Sequence, residues 1–179
     1  LPVEERPTYP MRHLITGFDG LRRSTGRSAL VVSAVLVALW FFSSLFMRQY
    51  TGFTFNLENP QELNILFIVA RTAGIFLLWC LAATGVSSML DGEGGLRRIA
   101  VVSAYALVPM VMAQFTYVLL SNVAIYDEGA LLKALLLIGY LWSGWLLFYG
   151  VKEAHQFSVS RTVLAILMTV LGMLFCGLI

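Results

Sequence analysis

Five long apolar stretches divide the chain: Ala29–Met47, Ile65–Leu90, Ile99–Ser121, Leu131–Val151 and Thr162–Ile179, each 18 to 26 residues long. Polar and charged residues collect in the gaps between them. A hydrocarbon core about 30 Å thick needs about 20 helical residues to cross it. The stretches lack the alternation of a barrel strand and are about twice its length. Lipid offers no partner to a backbone amide or carbonyl, so only helices or closed barrels span it. The pattern therefore predicts an all-α integral membrane protein with five transmembrane helices.

Upstream of the first stretch, Met11, Leu14, Ile15, Phe18 and Leu21 recur at steps of three and four, which places them on one helical face. Arg12, Asp19, Arg22 and Arg23 fall mostly elsewhere. The segment reads as a short amphipathic helix lying in the membrane interface, with Arg22 and Arg23 at the anionic headgroups. The alternative is a helix that docks a partner through the same apolar stripe. This divides the chain into a cytoplasmic N-terminal segment, residues 1–28, and a five-helix membrane domain, residues 29–179. Residues 1–28 hold no apolar core of a signal peptide, and a start at Leu1 reads as a trimmed chain or a piece of a longer one.

Hydrophobic residues make up 59% of the chain and charged ones 12%, about half the charged share of a soluble domain. The loops left over are too short for a soluble catalytic domain. The net charge of +2 matters less than its distribution. Arg6, Arg12, Arg22, Arg23 and Arg27 precede the first stretch, Arg97 and Arg98 follow the second, and Lys152 and Arg161 follow the fourth; Arg48, Arg71 and Lys133 fall on the other side, nine against three. The positive-inside rule then predicts a cytoplasmic N-terminus and an external C-terminus. The outer segment 48–64, with Tyr50, Phe53 and Phe55, suits an anchoring lip at the interface. The second helix is expected to start near Pro60, with Glu62 in its first turn.

Several residues stand out within the spans. Arg71 lies among apolar neighbours roughly 10 Å inside the hydrocarbon edge, where a charge costs about 2.5–3.5 kcal/mol near the bilayer centre. Snorkelling outward or pairing with Glu62, Asp127 or Glu128 would reduce that cost; a substrate or partner contact is the alternative. Ala70 with Gly74, Gly139 with Ser143, and Gly172 with Cys176 have the small-xxx-small spacing that permits close helix packing. Pro109 removes a backbone hydrogen bond in mid-span and should bend the third helix. Tyr105, one turn earlier, belongs to the same region. Polar groups there are expected to bond to one another or to the freed carbonyl, with a ligand cavity beside the kink as the alternative.

The stretch Asp91-Gly92-Glu93-Gly94-Gly95-Leu96-Arg97-Arg98 is the densest polar cluster. Its glycines permit a sharp reversal, and its two acids and two arginines suit a self-neutralising knot or a docking element. A phosphate-binding loop is excluded by spacing. No metal-ligand pattern occurs, and Cys80 and Cys176, each inside a predicted helix, form no disulfide framework. His13 and His155 lie in separate cytoplasmic segments, and no motif or spacing nominates a nucleophile and base. The reading is of a protein without catalytic residues, cofactor, metal or nucleic-acid partner.

These motifs together resemble the YIP domain family, the Ypt/Rab-interacting proteins and their bacterial relatives. Met89-Leu90-Asp91-Gly92-Glu93-Gly94 is similar to the bacterial branch's turn between helices 2 and 3. Tyr105-Ala106-Leu107-Val108-Pro109 is similar to the family's tyrosine-to-proline motif. The region from Tyr9-Pro10 through Phe18-Asp19-Gly20 to Arg22-Arg23, Ser121-Asn122, and His155-Gln156 add to the likeness over residues 9–179. The resemblance implies a compact five-helix domain with a cytoplasmic N-terminus. It further implies an accessory or scaffold subunit in a bacterial cytoplasmic membrane, associated with the permease or ATPase of an ABC transporter such as a carbohydrate importer. The alternatives are a stand-alone small-solute carrier or channel built around Arg71 and the Pro109 kink, and a membrane-shaping or trafficking adaptor. The residues expected to carry partner or polar contacts are Arg71, Asp91, Glu93, Arg97, Arg98, Tyr105 and Pro109. Those expected at the membrane surface are Met11, Leu14, Phe18, Arg22 and Arg23.

Overall fold

A computed structural model describes residues 27–52, 55–56 and 64–178. Helix α1 spans Arg27–Tyr50, α2 Ile65–Met89, α3 Leu96–Ala106 and α4 Val108–Ser121. A 3-10 turn at Tyr126–Glu128 leads into α5, Gly129–His155, and α6 runs Val159–Leu178. Among the described residues all regular structure is helical. Helices α3 and α4 together form one span, Leu96–Ser121, so among the described residues five spans are long and apolar enough to cross a membrane. The interfacial segment with Met11, Leu14, Phe18, Arg22 and Arg23, and also Phe53, Pro60 and Glu62, lie outside the described residues.

The α3–α4 span is the centre of the bundle. It is 50% buried, against 11–22% for the other four. Helices α1 and α5 both pack on it along its length, while α2 packs mainly on α6 and α3. The core lies where Val101, Val102, Ala104, Tyr105 and Ala106 meet Ala29, Leu36, Leu146 and Ala154. Outward faces carry leucine, isoleucine, valine and aromatic side chains, as lipid-facing surfaces do.

The third span is interrupted next to Pro109. Helix α3 stops at Ala106 and α4 restarts at Val108 with the proline in its first turn, where its missing N–H costs nothing. The amide of Met110 donates to the Ser143 hydroxyl on α5 at 3.0 Å, so a donor near the break is satisfied across the helix interface. Gly139, one turn from Ser143, makes that approach possible. A Cβ there would stand 2.3 Å from the Ala113 Cβ of α4.

Two expectations need correction. The second helix begins at Ile65, not near Pro60, because the Asn64 side chain caps it by accepting from the Phe67 amide at 3.1 Å. The spacings Ala70–Gly74 and Gly172–Cys176 are not packing seams: a Cβ at Gly74 or Gly172 would meet nothing within 4 Å.

Other polar pairs tie the helices together in the apolar interior. The Ser43 hydroxyl on α1 donates to the Gln114 side-chain oxygen on α4 at 2.6 Å. The Trp79 indole on α2 donates to Ser103 on α3 at 2.9 Å. Beyond α1, the Gly52 amide donates to the Ser121 hydroxyl at 3.0 Å, and the Asn122 amide group donates to the Tyr50 carbonyl at 2.9 Å.

Gly139→Ala should destabilise the bundle by about 1–3 kcal/mol through overpacking. Gly74→Ala, in open space, should be neutral or stabilise by up to about 1 kcal/mol. Unfolding in mixed detergent micelles compares the two; equal effects would contradict the close approach of α4 and α5.

Candidate functional site

The turn between α2 and α3 is built from two unusual helix ends. At the first, the Leu90 and Gly92 amides both donate to the Ser87 carbonyl, at 3.2 and 2.9 Å. Asp91 between them is left-handed, with φ 56°, a conformation Asp tolerates better than most residues. At the second, α5 closes on Gln156, also left-handed with φ 55°, and the Phe157 amide returns to the Lys152 carbonyl at 3.1 Å. This left-handed cap turns the chain so that Phe157 stacks on His155, centroids 5.1 Å apart.

The two ends meet at His155, which is 2% exposed. Its Nδ1 accepts the Gly94 amide at 3.1 Å. An Nδ1 that accepts must carry its lone pair, so in the neutral ring the proton sits on Nε2. That Nε2 is buried, without a hydrogen-bond partner among the described residues. Nothing larger than glycine fits against the ring. A Cβ at Gly92 would lie 2.5 Å from Nδ1 and 2.8 Å from Phe157 Cζ, and one at Gly94 would lie 2.7 Å from the Ala154 carbonyl oxygen. Arg98 adds a second link, its Nη1 donating to that carbonyl at 3.1 Å, a favourable position for a cation near a helix C-terminus.

The structure brings Asp91, Glu93, Arg97 and Arg98 together on this turn, but not as a self-neutralising knot. Among the described residues no ion pair forms between them. The backbone is held instead by His155 and Ala154, which leaves Asp91, Glu93 and Arg97 exposed while Arg98 is half-buried. Lys152, in the last turn of α5 and 3.5 Å from Glu153, and Arg161, in the first turn of α6, lie at the same end, hereafter the turn end. His155, Gly92 and Gly94 are the residues that sequence reasoning did not nominate. The signal for the histidine was its place in the His155-Gln156 pair.

Tyr105 and Pro109 belong to neither surface; Tyr105 is buried in the core and Pro109 marks the break. Arg71 lies in the opposite half, six residues into α2, about 9 Å from its start. It makes no ion pair with Asp127 or Glu128; Glu62 is outside the described residues. It lines a half-open cavity of about 490 Å³ between α1, α2, α4 and α5, with Arg48, Gln114 and Tyr140 among the other walls. Among the described residues no group of three His, Cys, Asp or Glu side chains is placed to hold a metal ion.

The family model for the Yip1 domain matches residues 11–179. The match takes in the turn, His155, the Pro109 break and the cavity, and the chain therefore belongs to the Yip1 domain family. No curated protein and no solved structure matches it.

His155→Ala leaves the Gly94 amide without its acceptor, and Gly94→Val drives a side chain into the ring. Each should cost about 1–3 kcal/mol, whereas Glu93→Gln, on the exposed rim, should stay within about 0.5 kcal/mol. Denaturant unfolding of the three variants in detergent gives the comparison.

Proposed function

We propose that this multi-pass Yip1-domain protein is a non-enzymatic accessory or scaffold subunit of a membrane complex. Its turn end faces the cytoplasm in this reading, as the basic side chains Arg97, Arg98, Lys152 and Arg161 at that end favour. The supporting observation is the clamped turn. Asp91, Glu93 and Arg97 project from a backbone held by His155, while Arg98 is committed to Ala154. A charged surface that is ordered before contact loses little freedom on binding, and mixed charges select a partner of complementary pattern.

The partner we infer is the permease or ATPase of an ABC transporter in a bacterial cytoplasmic membrane. That choice rests on the likeness of the Met89–Gly94 turn to the bacterial branch of the family. It also agrees with the shortness of the loops, which suits a subunit that supplies a surface rather than a reaction.

Purification from native membranes in mild detergent should recover transporter subunits with the wild-type chain. The double charge reversal Glu93→Lys and Arg97→Glu should lose them without loss of folding, since both side chains are exposed. Recovery of the chain without any transporter subunit, or equal recovery with the reversed variant, would contradict the assignment.

A further inference from the structure

Arg71 lines a cavity that adjoins a second, apolar one. The first, of about 490 Å³, has Arg71 and Arg48 in its walls. A second, of about 280 Å³, runs on toward the helix break and is walled by Phe76, Leu107, Leu147 and Gly144. Trp40, Ile75, Met110 and Tyr140 line both, so the two spaces share a wall of four residues. Volumes of this size are those of small-molecule sites.

Three observations describe what fits. Arg71 presents a guanidinium at membrane depth and makes no ion pair among the described residues. Among the described residues that line this cavity there are two arginines and no carboxylate. The Trp40 indole Nε1 is buried and has no hydrogen-bond partner among the described residues, and Trp40 lines both cavities. The walls of the second cavity are almost wholly hydrocarbon or aromatic. The set is a cationic head site, a single donor and an apolar slot.

We propose that these adjoining cavities bind an anionic phospholipid, with the headgroup phosphate on Arg71 and one acyl chain passing Trp40 into the apolar cavity. A guanidinium takes a phosphate through paired N–H donors. The indole N–H meets an oxygen of the headgroup or the ester linkage. The chain occupies the slot beside the Pro109 break, where Gly144 leaves open space: a Cβ there would meet nothing within 4 Å. The ligand supplies the negative charge that Arg71 lacks among the described residues.

Tryptophan quenching by phospholipids with brominated acyl chains tests this on the purified full chain in detergent micelles, because Trp40 and Trp79 line the apolar cavity. Brominated phosphatidylglycerol should quench at lower concentration than brominated phosphatidylcholine. Arg71→Gln should weaken the phosphatidylglycerol effect about tenfold or more, as loss of a charged hydrogen bond does, and Arg71→Lys should retain part of it. Gly144→Leu, at a lining position where an added Cβ meets nothing within 4 Å, should reduce quenching even though the head site is intact. Equal quenching by the two lipids in the wild type would overturn the proposal, and so would a phosphatidylglycerol preference that survives Arg71→Gln. Glycerol phosphate or inorganic phosphate serves as the chain-free arm. Protection by either alone, equal to that given by the lipid and unaffected by Gly144→Leu, would mark a free-anion site and reject the lipid. If Arg71→Gln fails to fold, the wild-type lipid preference and the Gly144→Leu response decide the question.

Discussion

The Gly94 amide has one acceptor, His155 Nδ1, and the turn end of the bundle depends on that bond. Without it the reversal between α2 and α3 would hang on its own short turn. With it, the reversal is joined to the last residue of α5, and through Phe157 to the start of α6. Helices α2, α3, α5 and α6 thus meet around one imidazole. The glycines follow from this contact, since a Cβ at Gly92 or Gly94 would overlap the ring or the Ala154 carbonyl.

The same logic recurs within the bundle. Lipid is as apolar as the helix faces, so side-chain burial alone favours helix contacts little, and close packing with a few polar pairs carries the association. Ser43 with Gln114, Trp79 with Ser103, and Ser143 with Met110 each join a different pair of helices. The α3–α4 span takes part in all three. Its break at Leu107 allows this, because a straight helix would satisfy the Met110 amide internally and leave Ser143 without its donor.

Much of this was legible in residue order. Hydropathy alone marks the five spans, and Pro109 marks the break, because both act through the backbone whatever the neighbours. The Gly139–Ser143 spacing was legible too, but so were two like it that have no neighbour, Ala70–Gly74 and Gly172–Cys176. Small residues permit close packing without requiring it, and which face meets a helix is decided by the whole bundle. The clamp was harder to read. Gly94 and His155 are 61 residues apart, and nearby acids and arginines suggested local ion pairs. Two left-handed caps, at Asp91 and Gln156, turn the backbone toward the histidine instead. Arg71 was visible as a costly charge, but the cavity it lines is assembled from α1, α2, α4 and α5 and has no local signature.

The scaffold reading depends on a turn that is rigid before any partner arrives. Amide hydrogen exchange on the full chain in lipid nanodiscs measures that directly. Gly92 and Gly94 should exchange slowly, their amides held by Ser87 and His155, although they lie in a turn at the end of the bundle. Exchange of both at the rate of an open loop would contradict the account.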